Sequence, residues 1–245
     1  MKDSLQQKDA ALPDIKVFVD CADPEGIRRA LTLPWTRGIT TNPSLVSQLG
    51  IASYTDYARQ VLEITGDSIP ISFEVLSESP EEMEKEARAI HSWGHSIYVK
   101  VPVIDASGHS MAGLIHELSS QGIPLNVTCV FTTEQADIAA RSLSPGVPSL
   151  VSVFAGRIAD VGVNPLPILR HARIALDKLP ETELLWASTR EVYSIWQAAD
   201  VGCDIITAPL SMVEKLTNAG MDLHELSCKG VAAFMDDIAA SNLRF

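Results

Sequence analysis

The chain has 245 residues, 46% of them hydrophobic, which is enough for one large α/β domain or two small ones. Its formal net charge of -12 disfavours nucleic-acid and anionic-membrane partners, because phosphates and acidic lipids repel such a surface. No apolar run approaches the roughly 18 residues of a membrane span. The four cysteines are widely spaced, and residues 1–14 are polar without the apolar core of a signal peptide. We therefore expect a cytoplasmic protein with a flexible N-terminal arm over 1–14.

Eight short apolar runs alternate with helical patterns along the rest of the chain. The predicted strands are 16–20, 38–41, 71–75, 96–103, 125–130, 150–154, 184–188 and 205–208. The predicted helices start near Asp23 and Asn42, cover 54–65, 80–93 and 108–121, start again at Thr132, Asn164, Arg190 and Leu210, and end with 223–239. This alternation predicts an α/β fold, a single (β/α)8 TIM barrel domain over 15–245 that ends in a C-terminal helix. A doubly wound sheet is the alternative, but no Gly-x-Gly-x-x-Gly follows any strand.

Local signals indicate where two of these helices begin. Thr132 with Gln135 three residues later is a capping-box pattern. Asn164-Pro165 reads as the cap and first residue of another helix.

One lysine interrupts the apolar fourth strand, Ser96-Ile97-Tyr98-Val99-Lys100-Val101-Pro102-Val103. Burying an ammonium in such a run is costly, and a lysine that loses its proton becomes an amine nucleophile. A lysine on an exposed strand face would give the same sequence. The stretch alone leaves both readings open.

Polar residues mark the C-terminal ends of seven of the eight strands, where barrels of this kind carry their chemistry. They are Asp20, Asn42, Glu74, Lys100, Asn126, Thr128, Ser152, Arg157, Ser188 and Arg190. Residues two apart share a strand face, so Asn126 with Thr128, and Ser152 with Phe154, are expected to face the barrel interior. A single polar strand end is often a cap or turn, and a single arginine a surface ion pair. Seven such strands together point to a site.

This set of residues suits carbonyl chemistry through a Schiff base. A neutral lysine adds to a ketone, and loss of water gives an iminium that withdraws electrons from the adjacent carbon–carbon bond. Asp20 and Glu74 are the acidic residues among the strand ends, and two carboxylates in different environments can divide the acid and base work. Side chains suited to a polyhydroxy chain are Asn42, Asn126, Thr128 and Ser152. Those suited to a terminal phosphate are Arg157, Ser188 and Arg190.

Five motifs, in order along the chain, resemble the transaldolase family. They are Gly38-Ile39-Thr40-Thr41-Asn42-Pro43-Ser44-Leu45, Val99-Lys100-Val101-Pro102, Asn126-Val127-Thr128, Phe154-Ala155-Gly156-Arg157-Ile158 and Ala187-Ser188-Thr189-Arg190. The chain is similar to the short members of the family, which include the fructose-6-phosphate aldolase type, from about Lys16 to the C-terminal helix. These members are class I Schiff-base enzymes, and the resemblance implies a ring-like homo-oligomer, a pentamer or a decamer.

The resemblance also implies a role for each site residue. Lys100 would form the Schiff base, Asp20 would be the acid and base for carbon–carbon cleavage, and Glu74 with Thr128 would hold a catalytic water. Contacts to the dihydroxyacetone unit are implied for Asn42, Asn126 and Ser152, and contacts to the phosphate for Arg157, Ser188 and Arg190.

Two positions bear on the choice between transferase and aldolase. Members of the aldolase type resemble this chain but have a glutamine in place of Glu74 and a tyrosine in place of Phe154. Phenylalanine has no hydroxyl to place water or move protons, so its presence favours holding the three-carbon intermediate until an acceptor arrives. We therefore predict a transaldolase of carbohydrate metabolism, as in the pentose phosphate pathway, that moves dihydroxyacetone from fructose 6-phosphate or sedoheptulose 7-phosphate to an aldose phosphate.

Three alternatives remain open at this point. The protein could release dihydroxyacetone as an aldolase, or transfer it between unusual anionic sugars of a specialised pathway. It could also be a barrel that only binds its ligand, because fold does not imply function. No cofactor is expected, since the lysine itself is the electron sink. No metal site is expected either, because His91 and His95 have helical spacing but Gly94 lies between them and no third ligand stands out.

Overall fold

The structure is a computed structural model that describes residues 12–241 and 243–244. Within these residues, eight parallel strands form a closed barrel in chain order. The strands are β1 (Lys16–Asp20), β2 (Thr36–Thr40), β3 (Ile71–Glu74), β4 (Ile97–Pro102), β5 (Leu125–Val130), β6 (Ser149–Val153), β7 (Thr182–Trp186) and β8 (Ile205–Pro209). Because β8 pairs with β1, the sheet has no open edge. The predicted (β/α)8 barrel is confirmed.

Helices follow the strands along the chain. Among the described residues the helices are α1 (Pro24–Thr32), α2 (Pro43–Ser47), α3 (Tyr54–Thr65), α4 (Pro80–His91), α5 (Ala112–Ser120), α6 (Thr133–Ser142), α7 (Ala155–Asp160), α8 (Leu166–Ala175), α9 (Ser194–Asp200), α10 (Leu210–Val213) and α11 (Leu223–Ala240). Two 3-10 turns lie at Gly66–Ser68 and Glu214–Asn218. Over the described ranges, no helix is both long and apolar enough to cross a membrane.

Sequence signals located most elements to within a few residues. The bounds predicted for β1, α3 and β5 match the structure, and Thr132 and Gln135 form the predicted capping box. The helix expected from Asn164 instead begins at Leu166, whose backbone N–H donates to Asn164 Oδ1 at 3.1 Å. Helix α7 was not predicted, because the residue before it, Phe154, has no side-chain group that can cap a helix.

The seventh strand ends earlier than the sequence indicated. We predicted 184–188, whereas β7 ends at Trp186. Ser188 has a φ of 63°, in the left-handed region and outside the extended range of regular strand backbone. The helix predicted from Arg190 correspondingly begins at Ser194.

The chain divides into two compact units. The barrel unit covers 13–214, and the second unit contains the segment from Lys215 onward. In the second unit α11 starts at an Asp222 cap and has no buried residue. Its exposed large apolar side chains are Leu223, Leu226, Val231, Phe234, Met235 and Ile238. The single domain over 15–245 stays a prediction, and most of the predicted arm over 1–14 lies outside the described residues.

An apolar layer fills the barrel interior next to the strand ends. It consists of Phe18, Leu150, Leu185, Ala187 and Ile205, with Tyr98 and Phe154 packed against it. Four of these residues lie two positions before a polar residue on the same strand face: Phe18 before Asp20, Tyr98 before Lys100, Leu150 before Ser152 and Ile205 before Thr207. The Phe18 ring fits because position 38 is glycine, where a Cβ would lie 2.5 Å from the ring. The polar residues thus lie one layer above a packed floor.

Candidate active site

A cavity of about 420 Å³ lies at the C-terminal ends of the strands. It is lined by all eleven site residues that the sequence singled out: Asp20, Asn42, Glu74, Lys100, Asn126, Thr128, Ser152, Phe154, Arg157, Ser188 and Arg190. Seven strands or the loops after them therefore contribute to one site. The role of each residue stays a prediction, whereas their proximity is a property of the fold.

Lys100 lies on the wall of this cavity and is only 8% exposed, so the reading of a lysine on an exposed face is excluded. Its register partner on β3 is Glu74, which is 5% exposed. Lys100 Nζ donates to Glu74 Oε1 and, at 2.5 Å, to the backbone carbonyl oxygen of Thr41. These two acceptors fix the position of the amine.

Glu74 is held on both of its carboxylate oxygens. Its Oε2 lies 3.0 Å from Thr41 Oγ1, which is also 2.8 Å from the Ser72 carbonyl oxygen. Burial raises the pKa of Glu74 above its usual range, although Lys100 and the Thr41 hydroxyl act in the opposite direction. A carboxyl with a raised pKa next to a lysine amine is suited to take up the proton that this amine must lose to become a nucleophile.

Asp20, at the end of β1, accepts a hydrogen bond on each carboxylate oxygen. Thr40 Oγ1 donates to Oδ1 at 2.9 Å, and Asn42 Nδ2 donates to Oδ2 at 3.1 Å. The Asn42 amide cannot turn away, because its Oδ1 caps α2 by accepting from the Leu45 N–H at 3.0 Å. Thr40 Oγ1 is also 2.6 Å from Thr207 Oγ1. The carboxylate is therefore oriented from two sides.

Polar side chains of β3, β5 and β6 are linked in a row of hydrogen bonds. Ser152 Oγ donates to Asn126 Oδ1 at 2.7 Å, and Asn126 Nδ2 donates to Ser72 Oγ at 3.1 Å. The Thr128 hydroxyl is buried and has no oxygen or nitrogen partner among the residues that the structure describes. A buried hydroxyl without such a partner is uncommon.

Two arginines also line the cavity, Arg157 on α7 and Arg190 in the segment after β7. The Arg157 guanidinium is 5.3 Å from the centre of the Phe154 ring, a cation–π distance. Arg190 forms a bidentate ion pair with Asp160 on α7, with N–O distances of 2.6–3.1 Å. The hydrogen bonds of this pair lower the pKa of Asp160 and raise the pKa of Arg190. Arg190 therefore forms an ion pair, the alternative that the sequence left open for a single arginine, and it also lines the cavity.

Sequence reasoning missed several groups that position these side chains. They are Thr40, Thr41, Tyr54, Asp160 and Thr207. Thr40 and Thr41 stand inside the motif that carried the family resemblance, so the signal was present without a role attached to it. Tyr54 and Thr207 reach the site from α3 and β8, and no local pattern indicates such contacts.

The chain is similar to proteins of one known family. The model of the Transaldolase/Fructose-6-phosphate aldolase family matches residues 17–243. A protein named probable transaldolase from Bdellovibrio bacteriovorus is 35% identical over 224 residues, which cover 91% of this chain and 97% of that protein. Another of the same name from Lactiplantibacillus plantarum is 35% identical over 225 residues, covering 91% and 96%.

A solved structure of a putative dihydrodipicolinate synthase family protein from Coccidioides immitis has the same fold, with a TM-score of 0.61 at 13% identity. The match covers 88% of this chain and 76% of that chain. At this identity the likeness supports the barrel alone. The family match and the two relatives go further, and the chain belongs to the transaldolase/fructose-6-phosphate aldolase family as an enzyme of the transaldolase/aldolase type.

Proposed function

We propose that the protein is a transaldolase that transfers a dihydroxyacetone unit from a ketose phosphate to an aldose phosphate through a Schiff base on Lys100. One observation carries this proposal: the Lys100 amine is buried in the cavity wall and hydrogen-bonded to a carboxyl whose pKa is raised by burial. Glu74, in hydrogen-bond contact with Nζ, is placed to accept the proton that the amine must lose before it can attack the ketose.

The first half-reaction begins with addition of the Lys100 amine to the ketose carbonyl at C2. One proton moves from nitrogen to oxygen to give the neutral carbinolamine, and a second proton, which Glu74 would have taken from the lysine ammonium, must reach the hydroxyl before it leaves as water. Glu74 is in contact with Nζ, and Thr128, whose hydroxyl has no oxygen or nitrogen partner among the described residues, lines the same cavity. Together they would hold the water molecule through which this proton moves. The product is an iminium that withdraws electrons from C3.

Cleavage of the C3–C4 bond needs a base for the C4 hydroxyl. Asp20 suits this role, because its two oxygens are oriented by Thr40 and Asn42 and it lines the cavity with Lys100. Loss of the hydroxyl proton to Asp20 releases the aldose, and the C3–C4 electron pair moves into the iminium to give an enamine. The acceptor aldehyde then reverses these steps: its carbon bonds to C3, and Asp20 returns the proton to the new hydroxyl.

We propose that the donor is an anionic ketose, because Arg157, Ser188 and Arg190 can bind an anion. Two guanidinium groups and the Ser188 hydroxyl line the cavity and can form charge-assisted hydrogen bonds to a phosphate or sulfonate. An Arg190→Ala variant should lose efficiency with fructose 6-phosphate far more than with free fructose. Equal losses for the two sugars would contradict the assignment.

An aldolase that releases dihydroxyacetone is the second candidate, since the family contains both types. Phe154 favours the transferase, because its ring offers no proton to the enamine. Phe154→Tyr should therefore raise the release of free dihydroxyacetone, in the absence of an acceptor, by about a hundredfold, the lower end of the range for general acid catalysis. The measurement is dihydroxyacetone formed from fructose 6-phosphate with and without erythrose 4-phosphate. An unchanged ratio would argue against this role of Phe154.

The direct test of the proposal is borohydride trapping. The protein is incubated with fructose 6-phosphate and reduced, and its peptides are examined by mass spectrometry for a dihydroxyacetone adduct on Lys100. An adduct that disappears when erythrose 4-phosphate is added supports the transaldolase, and steady release of dihydroxyacetone would indicate the aldolase. Lys100→Met is the control that must give no adduct. If neither fructose 6-phosphate nor other anionic ketoses give an adduct, the proposal is wrong.

We also propose that the protein acts in cytoplasmic carbohydrate metabolism as a homo-oligomer. The six exposed apolar side chains of α11 support a second copy of the chain as a partner, because so many large apolar groups on one helix are rarely left in water. Light scattering after gel filtration measures the mass of the assembly. Phe234→Glu should reduce this mass, whereas a protein that is monomeric at micromolar concentration would contradict the proposal.

A further inference from the structure

The hydrogen-bond ladder between β2 and β3 is interrupted at the site. Thr41, which follows β2, donates its N–H to the Ser72 carbonyl at 3.3 Å. In a regular parallel pair the next bond would run from the Glu74 N–H back to the Thr41 carbonyl. Instead the Glu74 N–H donates to Tyr54 Oη at 3.0 Å, and the Thr41 carbonyl accepts from Lys100 Nζ at 2.5 Å.

We propose that Tyr54 is a positioning residue for the lysine: its hydroxyl accepts the Glu74 amide in place of the Thr41 carbonyl, so that this carbonyl is left to orient the Lys100 amine. The inference rests on the proposed function, because it concerns the same lysine. It adds a residue from helix α3 that does not line the cavity.

The Tyr54 side chain is fixed by aromatic packing. Its ring lies 5.9 Å from Trp93 and 6.2 Å from Phe73, both in tilted or edge-on arrangements, and 6.0 Å from Tyr57 in a stacked one. Burial and the nearby Glu74 carboxylate raise the pKa of Tyr54, so its hydroxyl keeps its proton over the pH range in which an enzyme is assayed. The acceptor presented to the Glu74 amide is therefore constant in place and in charge.

Removal of this hydroxyl has a defined structural consequence. In Tyr54→Phe the Glu74 amide loses its acceptor, and the nearest replacement that strand geometry offers is the Thr41 carbonyl. Closing that bond draws the end of β3, and Glu74 with it, towards β2, and the Thr41 carbonyl then shares its two lone pairs between the Glu74 amide and the Lys100 amine. Misplacing a reacting group by a fraction of an ångström to about 1 Å costs roughly tenfold to a hundredfold in rate.

A matched control lies in the same aromatic cluster. Tyr57 is also buried, but its hydroxyl donates to the Ala22 carbonyl at 2.9 Å, whereas that of Tyr54 accepts from the Glu74 amide. Tyr57→Phe therefore removes a comparable hydroxyl and a comparable hydrogen bond. It should lower stability without changing the reactivity of Lys100.

The experiment measures the amine in two ways, in full-length wild type, Tyr54→Phe and Tyr57→Phe. The first is reductive methylation with formaldehyde and cyanoborohydride, quantified at Lys100 relative to the exposed Lys85 and Lys229 of the same molecule. The second is the rate of borohydride-trapped adduct formation with saturating fructose 6-phosphate. Thermal unfolding shows that each variant is folded at the assay temperature.

We expect both rates to fall by about tenfold or more in Tyr54→Phe and to stay within twofold of wild type in Tyr57→Phe. Cleavage of the adduct once formed should be unchanged, because Asp20 is oriented by other residues. Equal methylation of Lys100 in wild type and Tyr54→Phe would overturn the inference, and so would an equal loss in both variants. Absence of a ketose adduct in wild type, with the methylation difference intact, would contradict the proposed function and not the role of Tyr54.

Discussion

Replacing Gly156 by alanine should force α7 away from the segment that follows β7. A Cβ at position 156 would lie 1.6 Å from the Ser188 carbonyl oxygen and 3.1 Å from Arg190 Cγ. Such atoms do not approach within 3.0 Å of one another, so the two segments must separate by about 1.4 Å, the difference between 3.0 and 1.6 Å. Because the main obstacle is backbone, no change of side-chain rotamer can relieve it.

The cost of this separation falls on stability and on the site together. Overpacking of a well-packed interior costs typically 1–3 kcal/mol, and a contact with backbone should reach about 3 kcal/mol. The shift also carries Asp160, which is on α7, away from its ion-pair partner Arg190. A misplacement of about 1 Å corresponds to roughly a hundredfold loss of rate, which we expect in kcat/KM for an anionic ketose.

Gly113→Ala is the matched control. Gly113 is the second residue of α5, as Gly156 is of α7, but a Cβ there has no other atom within 4 Å. Alanine at this position should stabilise the protein by up to about 1 kcal/mol through helix propensity. Urea unfolding and kcat/KM with fructose 6-phosphate measure both variants. A Gly156→Ala protein with wild-type stability and activity would refute the packing of α7 against Ser188.

Two other contacts lead to predictions of their own. Thr40→Val removes a donor to Asp20 and should lower the rate of carbon–carbon cleavage about tenfold. Thr207 is linked to Asp20 through Thr40, so Thr207→Val should cause no further loss of kcat in the Thr40→Val background. Additive losses in kcat would contradict this link. Glu86 accepts from the Ser77 hydroxyl and from two amides of the loop after β3, and although partial burial raises its pKa, these bonds lower it overall. Because the pKa of Glu86 is lower in the folded state, its carboxylate stabilises the fold at pH values above the usual pKa of 4.5, and this contribution is lost as the pH falls. The difference in unfolding free energy between wild type and Glu86→Gln should therefore persist at pH 7 and shrink below pH 4.5.

The sequence predicted the barrel because its signals are local and repeated. Alternating apolar residues locate a strand, and an aspartate followed by proline locates a helix start, as at Asp23-Pro24. Helix α7 lacked such a signal, since it follows β6 with a phenylalanine at the cap position. The end of β7 was placed too late because a serine at positive φ is not recognisable from its neighbours.

The candidate site was predictable in its members but not in its contacts. Period-2 alternation and strand ends were enough to bring eleven residues to one cavity. The partner of each residue depends on register between strands, which residue patterns do not reveal. The Thr41 carbonyl is an example, since no sequence pattern predicts that it accepts a hydrogen bond from Lys100. The ion pair between Arg190 and Asp160 is another, because it joins elements thirty residues apart.

The packing of Phe18 over Gly38 bears on how such an enzyme can change during evolution. The ring closes the barrel one layer below Lys100 and Asp20, so a longer sugar cannot be accommodated by deepening the cavity without opening a hole in the core. Additional length must extend towards the loops after the strands, which tolerate substitution and insertion. Substrate range can therefore diverge at the mouth of the barrel while the floor, and with it the stability of the fold, is preserved.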